Sequence, residues 1–512
     1  MDEVVIPRTP DGRRSSAALG RAMVADALRA VDPAAADAAL AEADWRRGYL
    51  RHFRALVEAG LGPGMSPTGT GTSGAAGYDI AEAGLAAMYA RMRVSRDGSD
   101  VGLAEAFAIE PDRPLRTVTV IGSGKPDAEL VLPYRGELLR GDALHRRLDA
   151  WTAAGTIEPS CAEAVREVAA NPDWLDLSDQ RLVVLGAAAE MGPLPAVLGW
   201  GGTVVGVDLP RPDLWARIGA VAQESAGRLI APVSAGSARE AGPGAGRGSG
   251  GAAAASGRRG RATLEDAGAD LLTELPAVAQ WLLGIEGRLI LGNYVYAPGA
   301  DYVRVSAAVD ALSVHLRSRR ADVAMAFLAT PTDVFAVPGD AVAQSDARYR
   351  GRSRRARLAA ALSGGRLLAP NYPAGADPGI NDSLVAQQGP NYALAKRIHR
   401  WRASIARRDG VVSLAVAPPS RTRSVLSNRL LAAAYAAAHL FGVEVFEPAT
   451  ANKLMAVLLV HQLRRPRAAA PAAWHDEAIG AAHGGLWRTP YQPRSALGLA
   501  AIRGLPAAMR RT

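Results

Sequence analysis

The sequence predicts an α/β protein built on a doubly wound parallel sheet, and three observations carry that expectation. Five short apolar runs after residue 171 alternate with helical patterns, the signature of parallel strands joined by crossover helices. Within each run the apolar residues are continuous rather than alternating, as strands covered on both faces require. The first run ends in spaced glycines and the second in an aspartate, the order of a nucleotide-type βαβ unit.

Ahead of the sheet the chain reads as mostly helical. Between Ala17 and about Leu61, "RAMVADALRAV" and "WRRGYLRHFRALVEAGL" place apolar residues three and four apart. "GPGMSPTGTGTSGAAG" (62–77) reads as a flexible connector, and "IAEAGLAAMYARMRV" as a further helix. "RTVTVIGSGKPDAELVLPY" (116–134) predicts a β-hairpin, because two β-branched or apolar arms flank a turn holding Gly122, Gly124 and Pro126. Helical patterns at 137–154 and 160–170 close this region.

The strands of the sheet are expected at "RLVVLG" (181–186), "TVVGVD" (203–208), "RLILGNYVY" (288–296), "DVAMAFLAT" (322–330) and "VVSLAVAP" (411–418). Helices are expected between them at about 212–226, 264–284, 305–319 and 391–407. The low-complexity stretch 234–260 reads as a disordered surface insertion. "LLAAAYAAAHLFGVEVF" (430–446) is too short and too interrupted for a membrane span and reads as a buried helix followed by a strand. The division expected is 1–171, 172–465 and an irregular tail, 466–512, in which Trp487 and Tyr491 serve as anchors.

With 512 residues the chain has ample core for two or three domains, and 49% hydrophobic content excludes wholesale disorder. Cys161 stands alone, so no intramolecular disulfide forms, and a reducing cytoplasm is expected. His475 and His483 lie eight apart without a third ligand nearby, so no metal site is expected. A GxSxG nucleophile elbow is missing. The start of the chain is acidic, without the basic flank and apolar run of a signal peptide, and a soluble protein with no membrane partner is expected. A net charge of +9 suits an anionic partner. The arginine clusters at 256–262 and 348–357 carry no interleaved aromatics, however, which favours solvated loops over a nucleic-acid groove. The expected partner is a small-molecule substrate, and nothing in the sequence selects between a monomer and a homo-oligomer.

Chemistry concentrates at two places. In "RLVVLGAAAEMGP", Gly186 and Gly192 are spaced to let backbone amides approach a pyrophosphate at a helix start, and Asp208, ending the next strand, is placed to accept from ribose hydroxyls. Glu190 brings an anion into that turn, so it must point away or be paired. Downstream, Tyr392 and Lys396 lie four apart on one helical face, where an ammonium lowers a phenol's pKa and makes it a proton carrier near neutral pH.

These stretches resemble the short-chain dehydrogenases/reductases, a family with a Rossmann-like, NAD(P)-binding fold. "LGAAAEMG" (185–192) resembles the family's TGxxxGxG turn, "YALAK" (392–396) its YxxxK, and "VSLAVAPPSRTRSV" (412–425) the strand and loop that close over the nicotinamide. The likeness covers roughly 180–465. It implies Tyr392 as general acid/base, Lys396 as pKa modulator and ribose ligand, Gly186 and Gly192 as the pyrophosphate turn, Asp208 as the adenosine-ribose ligand, and Asn293 near the family's NNAG position. Thr330 or Thr332 would supply the catalytic hydroxyl, with Ser383 a second candidate. The cofactor would be NAD or NADP, Asp208 favouring the first and Arg211 the second. Two other readings stay open: a non-catalytic binding module of the same fold, and an S-adenosylmethionine-dependent methyltransferase, whose cofactor lacks the phosphate that Glu190 would repel. A final antiparallel strand pair would favour the methyltransferase, and convergence of Tyr392 and Lys396 on the glycine turn the reductase.

Overall fold

The computed structural model describes residues 2–62, 74–108, 110–111, 113–234 and 263–509. Its centre is a seven-stranded sheet. The strands are β1 (Leu115–Ile121), β2 (Gln180–Leu185), β3 (Thr203–Val207), β4 (Arg228–Ser234), β5 (Arg288–Asn293), β6 (Val323–Ala329) and β7 (Val412–Val416), ordered β7-β6-β5-β2-β3-β4-β1. All neighbours run parallel except β1, which pairs antiparallel with β4 at one edge.

The apolar strands are buried on both faces. In β2, Val183 and Leu185 join one core, with the N-terminal helices and the helices Ala300–Arg319 and Pro390–Arg407. Leu182 and Val184 face the other, with Pro159–Ala170, Pro212–Glu224 and Pro448–Arg464. This two-sided alternation follows from the period-2 side-chain geometry of a strand covered by helices on both faces. The region before residue 171 shares both cores with the sheet.

Three expectations need correction. Residues 116–134 form no hairpin. The first arm is edge strand β1, bonded to β4 more than 100 residues away, while Leu132–Tyr134 pairs with Glu137–Leu139. The glycine segment between the arms docks instead on the helix before β4, with the Gly124 amide donating to the Ser225 carbonyl (2.9 Å). Second, the tail beyond 466 is structured: it contains the helices Ala473–Ala478 and Pro493–Met509, and Trp487 is fully buried. Third, 430–446 is a half-buried helix, Arg429–Ala437, followed by the turn Ala438–Phe441 and one bridge, Ser420 to Phe446, rather than a buried helix and strand. The insertion at 234–260 beyond Ser234 and most of the connector at 62–77 lie outside the described residues. So does the 256–262 arginine cluster. In the other cluster Arg348 donates to the carbonyls of Arg488 (3.0 Å) and Ala154 (2.9 Å), so this arginine is a tether between segments.

No helix among the described residues is long and apolar enough to cross a membrane. No cluster of His, Cys, Asp or Glu among them could hold a metal ion.

Candidate active site

The chain leaves β2 toward β3 and β4, and returns as β5 on the other side of β2. A crevice must open outside the carboxyl ends of the strands where the direction reverses. A cavity of about 570 Å³ lies there. The turn 188–192 after β2, Asn293 at the end of β5, Thr330 after β6 and Pro418 after β7 all line it.

Tyr392 and Lys396 line the same cavity from the first turns of Pro390–Arg407. Gly389, at φ +81, lets the chain enter this helix sharply, and Pro390 suits its first turn. Arginines further along fix the helix: Arg397 and Arg400 both donate to the buried Asp333 (3.0 and 2.6 Å), and Arg400 also grips Glu477 (2.6 Å). The two candidate proton carriers are thus presented by a helix clamped behind them.

The electrostatics differ from the sequence expectation. Burial pushes the Tyr392 phenol up to about 12, and hydrogen bonds from Thr330 and Gln388 offset this only in part. Desolvation, opposed weakly by Asp333, lowers Lys396 to about 8. Its Nζ donates to the Leu328 carbonyl (3.3 Å) and lies 6.0 Å from the centre of the Tyr302 ring. Burial of the phenol thus outweighs the ammonium's influence, and Tyr392 stays protonated through the neutral range.

Thr330 and Thr332 share a hydrogen bond (2.9 Å), and Gln388 donates to Thr332 (2.5 Å), making a short polar chain beside Tyr392. Ser383 also lines the cavity but donates to Asn381. Two buried polar atoms of cavity residues have no protein partner: Asn293 Oδ1 and the Tyr302 hydroxyl. Unpaired buried groups are costly, and in a cavity wall they mark where a ligand or water would bond.

At the glycine turn most amides are occupied, those of Glu190 and Met191 being the exceptions among the described residues. Gly186 and Ala187 both donate to the Val207 carbonyl (2.9 and 3.1 Å), Ala189 to Gly186 (3.0 Å), and Gly192 to Ala189 (2.9 Å). Asp208 accepts from the amides of Ala188 (2.9 Å) and Leu209 (2.8 Å), and burial raises its carboxyl. Neither Gly186 nor Asp208 lines the cavity, whereas Gly192 does. The helix that follows, Leu194–Gly199, is short, with Pro193 and Pro195 withholding two N–H groups from its start. Glu190 is paired: Arg423 donates to it from its backbone amide (2.8 Å) and from Nε (2.7 Å).

Sequence reasoning therefore brought Tyr392, Lys396, Thr330, Asn293 and Gly192 to one cavity. It missed Tyr302, Gln388, Arg423 and the wall contributed by Pro493–Met509. Only Arg423 had a readable signal, an arginine just past the last strand able to meet the unexplained Glu190. No protein-family model matches the chain, and no curated protein matches it.

Proposed function

We propose that the protein is an oxidoreductase of the short-chain dehydrogenase/reductase type, acting on a small carbonyl or alcohol with NAD or NADP. One observation carries the reading: Tyr392 and Lys396 share a cavity with the turn after β2 and with the ends of β5 and β6. The strand order supports it, since the six parallel strands follow the dinucleotide-binding arrangement. The final strand β7 lies parallel to β6, without the antiparallel pair that a methyltransferase reading calls for.

The residues present fit the reacting end of such a cofactor. The unpartnered Asn293 Oδ1 and Tyr302 hydroxyl suit a carboxamide, and Lys396 would reach a ribose hydroxyl. At the other end the amides of Gly186, Ala187, Ala188, Ala189 and Gly192 are already bonded within the protein, which leaves those of Glu190 and Met191. Arg423, a cavity residue with its side chain 67% exposed, is bonded to Glu190 and would have to exchange that carboxylate for the pyrophosphate to neutralise charge there. When bound, the nicotinamide supplies or accepts the hydride.

The chain's own residues handle the proton. With its pKa held near 12, Tyr392 is a donor at neutral pH and would protonate the substrate oxygen as the carbonyl is reduced. Thr330, Thr332 and Gln388 orient the phenol, and the Lys396 ammonium favours the phenolate left behind. The alcohol-oxidising direction requires the phenol to be ionised first, which its raised pKa opposes at pH 7.

Calorimetric titration with NAD, NADP and S-adenosylmethionine tests the assignment. Binding of a nicotinamide dinucleotide is expected, with Tyr392→Phe leaving its Kd unchanged while turnover falls by about 10²- to 10⁴-fold. Binding of neither dinucleotide overturns the reading.

A further inference from the structure

Different elements bring polar and apolar groups to the cavity. The strand ends and the helices Ala300–Arg319 and Pro390–Arg407, here called its floor, contribute Asn293, Tyr302, Thr330, Tyr392 and Lys396. The helix Arg429–Ala437 contributes Leu431, Ala434 and Tyr435, and Pro493–Met509 contributes Leu497 and Ala500. These two helices form a roof. They meet through Ala433, Ala434, Ala500 and Ala501, and close so tightly that a Cβ on Gly504 would lie 1.8 Å from the Ala433 carbonyl oxygen. Phe441, Val443 and Val445 add further apolar lining.

From this arrangement we infer that the roof is a tail-binding subsite, and that the ligand is a single-chain amphiphile whose terminal oxygen function lies on the polar floor and whose hydrocarbon body lies under the roof. The polar requirement comes from the unpartnered Asn293 Oδ1 and Tyr302 hydroxyl, which a compact apolar molecule would leave unsatisfied. The apolar requirement comes from the roof, where no charged side chain of either helix lines the cavity among the described residues. A small polar substrate would leave this wall facing water, whereas an alkyl chain removes it from solvent at every added methylene. The oxidoreductase reading enters only in identifying the head group as the reacting carbonyl or alcohol; the subsite itself does not depend on it.

Calorimetric titration of the full-length protein with n-alkan-1-ols from butanol to dodecanol, without cofactor, reads the subsite directly. Affinity is expected to rise about fourfold per methylene until the roof is filled. In Leu431→Trp, whose indole would occupy the space, the rise stops at a shorter chain. Leu497→Gln flattens the rise without filling the space, and guards against misfolding of the bulkier variant; far-UV circular dichroism checks both. A series with no dependence on chain length, or one unchanged in both variants, overturns the inference. A rising series in a protein that binds no NAD or NADP would remove the oxidoreductase reading and leave the subsite standing.

Discussion

Lys396 combines an ionisable amine with a mainly apolar setting, and its only hydrogen bond among the described residues is to the Leu328 carbonyl. Because desolvation lowers its pKa to about 8 from 10.5, the folded protein binds this proton less readily than the unfolded chain does. Below pH 8 both states carry it, and the fold bears the full cost of charging a buried amine. Between pH 8 and 10.5 the folded lysine is largely neutral while the unfolded one is still charged, so stability from this group rises with pH through that window. Replacement by an apolar side chain of similar length removes both effects. Lys396→Met is therefore expected to raise unfolding stability at pH 7 by on the order of 2 kcal/mol, and to lose the gain that the wild type shows between pH 8 and 10. Urea melts across that range provide the check, and parallel pH profiles for the two proteins would contradict it. The same substitution should reduce turnover, the usual opposition between stability and a functional buried charge.

At the scale of elements, the turn after β2 separates two glycines that look equivalent in the sequence. Gly186 has φ +86, and a Cβ there would lie 2.8 Å from the Tyr294 carbonyl oxygen, a backbone atom with little room to move. Gly192 has an ordinary φ, and its Cβ would meet the Ala189 carbonyl oxygen at 3.2 Å. Gly186→Ala should therefore cost about 2–3 kcal/mol and Gly192→Ala about 1 kcal/mol or less, measured by chemical denaturation. Equal costs would mean that the turn relaxes in a way this geometry does not allow. The parallel strands with continuous apolar sequence were legible within a residue or two at their starts, because burial on both faces leaves a local mark. β4 went unread, since "RLIAPVS" carries a proline and runs straight into the low-complexity stretch at 234–260. β1 was legible as a strand but not in its pairing: a local turn argument finds the nearest apolar arm, whereas the actual partner is distant in sequence. Spacing linked Tyr392 to Lys396 and the family resemblance pointed to Asn293, and all three line one cavity, but Tyr302 and the roof depend on packing between segments that no local pattern connects.

Over the whole molecule, residues between 486 and 500 reach the cavity from a segment that a buried ion pair anchors. Glu158 accepts from Arg488 through both oxygens (2.7 and 2.6 Å) and from His483 Nε2 (2.8 Å), while His483 Nδ1 accepts the Gly485 amide (3.1 Å), so the ring is the neutral tautomer. Burial alone would raise the Glu158 carboxyl, yet the bonds from Arg488 and His483 hold it at about 2. Because that folded pKa lies below the unfolded value of 4.5, the contribution is fully present above pH 4.5 and disappears as the pH falls toward 2. Glu158→Gln removes one charge and leaves the buried Arg488 with Asp340 as its remaining anionic partner among the described residues, beside the neutral Gln344, a loss of about 3–5 kcal/mol for breaking a buried pair from one side. The damage should be directional. Leu486, Thr489, Tyr491, Leu497 and Ala500 all line the cavity and all lie near or beyond the clamp. In the variant, amide exchange across 483–509 should quicken before the sheet strands respond, and alkanol affinity should fall with it. Exchange that quickens uniformly over the sheet and the C-terminal segment, or a denaturation midpoint equal to wild type, would show that the clamp is not what seats the roof.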